Sequence, residues 1–339
     1  MENEALFLKN IRKVVEDCCA VKKGERVLII SDIAQESEIY LALYQAAVAL
    51  EAQPSILILP VAVPGKELPD VANEACMQAD VIITPTTTSI YHAPGIHRAC
   101  TKGHARLQAL SECNINTFLQ GGINADFKAI LPVVELVGQK YETGSKIHYT
   151  TPAGTNITAL IAGRQAFCNS GICATPGEHM GLPTIEVFIA PVEDSVEGEI
   201  VVDLSCSAGI GIIEDPIHLK VEKGKAISIS GGAQAVRLKE ILEKEQNQSV
   251  FQIAELAIGL NPQCRITGVI NEDEGKYGTC HMALGSNSSF GGQNQAPLHI
   301  DMVQNAPTIE IDGEIICKDG ELLIADVALA GKGGADRNL

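Results

Sequence analysis

The sequence predicts an α/β fold joined to a β-rich one: an N-terminal doubly wound domain, then a mixed, mainly β domain that carries a metal site. Three observations predict it. In the first part of the chain, apolar strand-like runs alternate with helical ones, a pattern that folds into a parallel sheet covered by helices. From about residue 145 the pattern changes to short β runs separated by Gly, Asn, Asp and Pro. Within that second part, carboxylates and histidines recur inside apolar runs, where burial is costly unless something pairs with them. The expected boundaries are 1–145 for the α/β domain with a substrate-facing loop and 146–339 for the β-rich catalytic domain.

Taken in order, residues 5–20 place Leu6, Leu8, Ile11, Val14, Val15 and Cys18 at helical spacing. GERVLIISD reads as a buried strand ending at Asp32, SEIYLALYQAAVALEAQ as a helix, PSILILPV as a second strand, Leu68 to Gln78 as a helix and ADVIITPTTT as a third strand. Ligands collect at the carboxyl ends of such strands. The hydroxyl-rich loop that follows holds His92, either an exposed loop histidine or a substrate-binding or proton-transfer residue; His97 and His104 fall in a helix after it. No G-x-G-x-x-G or P-loop lysine follows Asp32, which argues against a nucleotide cofactor. ILPVVELVGQKYETG is a helix, and KIHYTT, NITALIA, EVFIAP, GEIVVDL, GIGII, IHLKVEKG and KAISISGG are strands. The helix AVRLKEILEKEQ interrupts them, and Asp312-Gly313 and Asp319-Gly320 mark tight turns near the end.

Composition narrows the function classes. The chain has 339 residues, 46% hydrophobic and 20% charged, as an ordinary globular enzyme has. Forty-two acidic against 25 basic residues give a net charge of −17, which disfavours nucleic acid and anionic membrane surfaces as partners. No uncharged apolar run reaches the roughly 18 residues that a membrane helix needs. The N-terminus is charged and amphipathic, and 11 scattered cysteines without a C-x-x-C pair read as reduced thiols of a cytoplasmic protein.

The chemistry concentrates between Glu255 and Asp301. Glu255 sits in AELAIGL, His281 in CHMALG, and His299 with Asp301 in LHIDMV. In a strand, residues i and i+2 share a face, so His299 and Asp301 project together and supply one nitrogen and one oxygen ligand. Such a pair suits zinc, cobalt, manganese or ferrous iron. Taken singly, a histidine in an apolar strand is more often a hydrogen-bonded core residue; the clustering favours a metal. Glu186, among Ile185, Val187, Phe188 and Ile189, is either an edge-strand surface residue or a further ligand. Ser195 in EDSVEG lacks a nucleophile elbow and reads as a turn.

In the order P-x-x-E-V-F-x-A-P-x-E-D-S-x-x-G (Pro183 to Gly198), A-E-L-x-x-G-x-N-P (Ala254 to Pro262), C-H-x-A-L-G (Cys280 to Gly285) and H-x-D (His299 to Asp301), the chain resembles the aminopeptidase T and aminopeptidase S family of metallopeptidases. TPAGTNITALIAGR, Thr151 to Arg164, resembles that family's G-T-D/N-L-T segment. The resemblance implies a paired-metal site of Glu186, Glu255, His281, His299 and Asp301, a water activated between two divalent ions, a glutamate moving the proton, and homodimers. Gly154, Thr155 and Asn156 either offer donors to a substrate carboxylate or carbonyl or form a plain turn, and Arg164 would anchor a substrate carboxylate, on the rim of a cleft between the domains shared with His92. The family's tyrosine, seven residues after the histidine of C-H-x-A-L-G, is Ser288 here.

The chain's length, its EKGKAISISGG segment (Glu222 to Gly232) and its H-x-D also resemble the iron-dependent 2,5-dihydroxypyridine dioxygenases. That group keeps a substrate-meeting histidine at the place of His92, uses a histidine where this chain has Glu255, and lacks one at His281. The expectation is therefore a metal-dependent hydrolase of a small-molecule or short-peptide amide, with two zinc, cobalt or manganese ions. The alternatives are a ferrous ring-cleaving dioxygenase and a non-catalytic metal-binding protein.

Overall fold

A computed structural model describes residues 2–63 and 65–324, which form two compact units. The first comprises Met1–Lys128 and Asn169–Pro183. Its sheet is parallel throughout, in the order Gln53–Leu59, Arg26–Asp32, Val81–Thr86, Arg106–Ser111, His179–Gly181. Val27, Ile29, Ile30, Val81, Ile82 and Ile83 are buried on both faces of it, as strands covered on two sides require. The helices Glu2–Lys13, Ser37–Ala49, Asp70–Gln78 and Pro94–Thr101 supply apolar faces to this core. Residues 169–183, expected in the second domain, return here because His179–Gly181 adds in parallel beside Arg106–Ser111.

That neighbouring strand lies inside what reads in sequence as a loop. Its buried face carries Arg106 and Gln108, 3% and 0% exposed, so polar residues stand where apolar ones signal a strand. Glu25 makes Arg106 tolerable there: the guanidinium donates to its carboxylate at 3.0 and 2.8 Å and to the Cys19 and Ala20 carbonyls. His104 is not helical. The helix ends at Thr101 and His104 takes φ +60° before the strand begins.

Burial alone would raise the Glu25 carboxyl, but the Arg106 hydrogen bonds and the Lys22 amide outweigh it and hold it below the usual carboxylate range. A depressed folded-state pKa stabilises above the unfolded value of about 4.3, and that stability is lost as pH falls through the lower folded value. Glu25→Gln is expected to cost about 2–3 kcal/mol at pH 7. The gap from wild type should close in acid below the carboxylate range, as measured by urea melts across pH.

The second unit comprises Ala129–Cys168 and Thr184–Leu339. One sheet runs Lys225–Ser230, Ile217–Glu222, Glu197–Val202, Asn156–Leu160, Lys146–Thr150, Thr308–Ile311, Glu314–Lys318, Glu321–Leu322. Its last turns are the Asp-Gly pairs, with φ +50° and +89° at Asp312 and Gly313 and +50° and +85° at Asp319 and Gly320, as hairpin turns of the mirror-image type require. The other sheet runs Gly211–Ile212, Ser205–Cys206, His299–Asn305, Thr279–Gly285, Ile253–Gly259, Glu186–Ile189, Ala166–Asn169. The parallel first sheet and these two sheets make the α/β plus β-rich architecture that the sequence predicts. No helix among the described residues is long and apolar enough to cross a membrane.

Candidate metal centre

The register of the last sheet decides which side chains meet. Glu255 stands opposite Ala283, and Ala283 opposite Asp301; Ala257 stands opposite His281, Gly259 opposite Glu186, and Gly285 opposite His299. Residues directly opposite share a face. Glu186, Glu255, His281, His299 and Asp301 therefore all project from one side, with Ala257, Gly259, Ala283 and Gly285 as the small residues between them. A register shift between Ile253 and Glu255 sets this phase, the kind of irregularity that re-aims a side chain. On the opposite side Leu256, Ile258, Met282, Leu284, Ile300 and Met302 are at most 2% exposed. One face is core and the other is a polar floor.

On that floor His281 Nε2 lies 3.2 Å from Glu186 Oε2 and 3.2 Å from Glu255 Oε1. His299 Nε2 lies 3.4 Å from Glu255 Oε2 and 3.0 Å from Asp301 Oδ1. Three groups offer ligand atoms within 4.8 Å of one another: Glu186, Glu255 and His281; Glu255, His299 and Asp301; Glu274, His281 and Asp301. Glu274 escapes the sequence reading because it follows the short helix Ile270–Asp273 in an acidic run, Glu272 to Glu274, that looks like a solvated turn. The fold shows that the run is not a solvated turn: Asp273 is 0% exposed and accepts from the Thr267 and Gly268 amides at 2.6 and 2.9 Å.

Burial would lower both imidazoles, but the facing carboxylates outweigh it and push them well above their ordinary value: Glu186 and Glu255 for His281, Asp301 and Glu255 for His299. Burial would raise Glu255, yet hydrogen bonds from His281 and His299 hold it down at about 2. Burial does raise Glu186, and it raises Glu274 further with Glu186 as a repelling neighbour. The cluster thus binds positive charge strongly.

The donor set fits a divalent cation. The Ser286 carbonyl, 2.8 Å from His299 Nδ1, can only accept, so Nδ1 carries a proton and Nε2 is the atom turned toward Glu255 and Asp301. Either a proton on Nε2 or a cation in its place satisfies the two facing carboxylates, and a bound cation would take Nε2 as its nitrogen ligand. Glu186 Oε2 is buried with His281 Nε2 at 3.2 Å as its facing group. Phe290 sets its ring edge-on to His299 at 5.8 Å and meets Phe188 and Phe167, so the floor has an aromatic wall.

Gly259 is required where Glu274 enters. A Cβ there would stand 2.3 Å from the Lys276 carbonyl oxygen and 2.7 Å from that of Glu274. Gly259→Ala is expected to cost about 2–3 kcal/mol by overpacking and to push Glu274 off the floor; urea melts with metal analysis check it.

The other residues singled out from the sequence lie elsewhere. His92 is exposed in the first unit, beside Tyr91 at a ring distance of 4.9 Å. Thr155 is 1% exposed and spends its hydroxyl on the amide and carbonyl of Val201 at 2.9 and 3.2 Å. Asn156 Oδ1 accepts from His148 at 2.8 Å. Arg164 is paired with Glu193 and donates to the Gly291 carbonyl, so its charge is not open to a substrate carboxylate. The segment Thr151 to Arg164 contributes a strand and its flanking turn, and these three side chains are engaged within the protein, Thr155 with backbone, Asn156 with His148 and Arg164 with Glu193 and the Gly291 carbonyl. Ser195 is a turn residue, its hydroxyl donating to Val192 O at 2.6 Å. Ser288 is exposed, and Tyr277, the nearby phenol, is held by the Leu322 amide at 3.0 Å and by Glu321 at 3.3 Å.

The family model of 2,5-dihydroxypyridine 5,6-dioxygenase (NicX) matches residues 7–324. The chain belongs to the 2,5-dihydroxypyridine 5,6-dioxygenase family. Within that family it is 23% identical, over 76% of its length and 75% of the relative's, to 2,5-dihydroxypyridine 5,6-dioxygenase of Pseudomonas putida. It is also 24% identical to aminopeptidase AmpS of Bacillus subtilis, over 52% of its own length and 46% of that protein, so it spans about half of this second relative. The solved structure of the Pseudomonas putida dioxygenase superposes with a TM-score of 0.82 at 20% identity, covering 95% of this chain and 98% of that one. Wild-type AmpT from Thermus thermophilus gives 0.72 at 14% identity, covering 94% and 99%. Both structures share the fold. The matched groups are enzymes of two kinds, which supports an enzymatic role for this member of the dioxygenase family.

Proposed function

We propose that the chain is a metal-dependent hydrolase that cleaves an amide bond in a small linear or cyclic amide or a short peptide, using two divalent cations held by Glu186, Glu255, His281, His299 and Asp301. One observation carries the reading: each of the three cation-sized groups combines one imidazole with two carboxylates, and neighbouring groups share Glu255, His281 or Asp301. Four carboxylates gathered on one floor call for more positive charge than a single divalent ion brings. A mononuclear ferrous oxygenase uses two histidines and one carboxylate, and none of these groups among the described residues has that composition.

Two such ions, when bound, lower the pKa of a water between them and polarise the substrate carbonyl. The protein's own contribution is orientation and proton transfer. Ser286 fixes the His299 tautomer. Glu186, whose carboxyl burial pushes up, is placed to take a proton from water and return it to the leaving nitrogen. Phe188, Phe290 and Phe167 favour an apolar group on the substrate. With Ser288 at the peptidase tyrosine's place and Tyr277 held elsewhere, a phenolic donor for the oxyanion is missing, which points to small activated amides ahead of ordinary peptides.

The second reading is a ferrous ring-cleaving dioxygenase acting on a dihydroxypyridine, favoured by family membership over residues 7–324. Metal analysis of protein purified anaerobically without chelator separates the two. The hydrolase reading expects about two equivalents of zinc, cobalt or manganese per chain, and amide turnover that a chelator abolishes and added metal restores. About one equivalent of iron, with oxygen uptake on a dihydroxypyridine, overturns it in favour of the second.

A further inference from the structure

The loop between the His281 strand and the His299 strand, residues 286–298, reads SNSSFGGQNQAPL, with Phe290 as its one aromatic residue. It is gripped from outside by two side chains that the mechanism does not use. Arg164 gives one arm of its guanidinium to Glu193 and the other, through Nη1, to the Gly291 carbonyl at 2.7 Å. Glu193 gives one carboxylate oxygen to Arg164 and the other, Oε1, to the Gln293 amide at 2.6 Å. The two side chains are 10% and 20% exposed. The Glu193 carbonyl also accepts from Gln252 Nε2 at 2.6 Å, and Gln252 immediately precedes the Glu255 strand.

The inner side of the same loop touches His299. The Ser286 carbonyl lies 2.8 Å from His299 Nδ1, and Phe290 packs edge-on to the ring. Inside the loop Asn287 Oδ1 accepts from the Asn294 amide at 2.8 Å, and Asn294 Nδ2 donates to Gly285 O at 2.6 Å and Ser249 O at 2.8 Å. The loop is therefore tied as one piece, and a shift at Gly291 and Gln293 is passed to Phe290 and Ser286.

We propose that the Arg164–Glu193 pair is a positioning latch: it holds loop 286–298 in place so that Ser286 and Phe290 keep the His299 ring turned with Nε2 toward Glu255 and Asp301. Each partner of the pair uses one half on the other partner and one half on the loop. Losing either removes its own loop contact and takes from the other side chain the partner that orients it. The holding of the loop stands by itself; its consequence for metal binding rests on the metal-centre reading above.

The chain contains no tryptophan, so Phe290→Trp supplies a single fluorescent reporter on the loop. In that background Arg164→Ala and Glu193→Ala are each expected to raise acrylamide quenching about threefold, and the double variant no more than either, because one latch is broken once. The same variants without the reporter are expected to bind cobalt about tenfold more weakly, with a changed visible absorption band, as loss of an outer-shell support does. Unchanged quenching in an Arg164→Ala chain that still melts cooperatively overturns the latch. A loosened loop with wild-type cobalt affinity overturns the link to His299. If the reporter chain does not fold, chymotryptic cleavage after Phe290 replaces it: faster cleavage in the nearly isosteric Glu193→Gln supports the latch and an unchanged rate overturns it. A wild-type chain that binds no cobalt sinks the metal reading alone, since quenching and cleavage need no metal.

Discussion

His281→Ala is expected to lower bound metal from about two equivalents per chain to about one and to cut amide turnover by about 10²–10³-fold, a loss of several kcal/mol of charge stabilisation. The imidazole stands between Glu186 and Glu255, 3.2 Å from each, and belongs to two of the three ligand groups. Removing it leaves Glu186 and Glu274 without the nitrogen of their groups, while Glu255 keeps His299. Burial and mutual repulsion then raise the pKa values of Glu186 and Glu274, so they hold protons and bind metal less well. The group of Glu255, His299 and Asp301 keeps its members, so one ion stays. Elemental analysis beside kcat/KM checks the outcome. Full metal and full turnover in the variant would sink the paired-metal assignment, and a single iron untouched by the loss of His281 would move the search to dioxygen chemistry.

Glu255→His is expected to convert the centre from two ions to one. Glu255 shares a group with His281 and another with His299, and carries a full charge between the two imidazoles. Histidine there turns Glu255, His299 and Asp301 into two imidazoles and one carboxylate, the composition that selects ferrous iron with open positions. One negative charge fewer and one nitrogen more remove the reason for a second cation. Metal content should fall to about one equivalent with iron preferred over zinc, and amide turnover should drop by about 10³-fold. Anaerobic reconstitution with a mixture of metals measures the first, and oxygen uptake with hydroxylated aromatic rings tests whether the altered centre takes up the chemistry of its family. Retention of two zinc ions and of hydrolysis would show that neither ion depends on Glu255.

Much of the fold is legible in the residues themselves. Continuous apolar runs such as VLII and VIIT can only be strands buried on both faces, and Asp312-Gly313 and Asp319-Gly320 adopt the positive φ values that Asp-Gly tolerates. The strand Arg106–Ser111 is not legible, because Arg106 looks like a surface residue until Glu25, 81 residues away, is placed beside it. Arg164 fails in the opposite direction. Its charge reads as an anchor for a ligand, and the fold spends it on Glu193 and Gly291.

The metal centre divides in the same way. The sequence by itself determined the chemical kinds of ligand and the pairing of His299 with Asp301, since alternation along a strand is a local property of the backbone. It also marked Glu186, Glu255 and His281 as ionisable groups inside apolar runs. That these three share a face with His299 and Asp301, that Ala257 and Ala283 leave room above the sheet, and that Glu274 joins them from a turn were decided only by tertiary structure. The register between strands distant in sequence is set by hydrogen-bonded ladders and by which faces are buried, and a slip of one residue would have sent each ligand into the core.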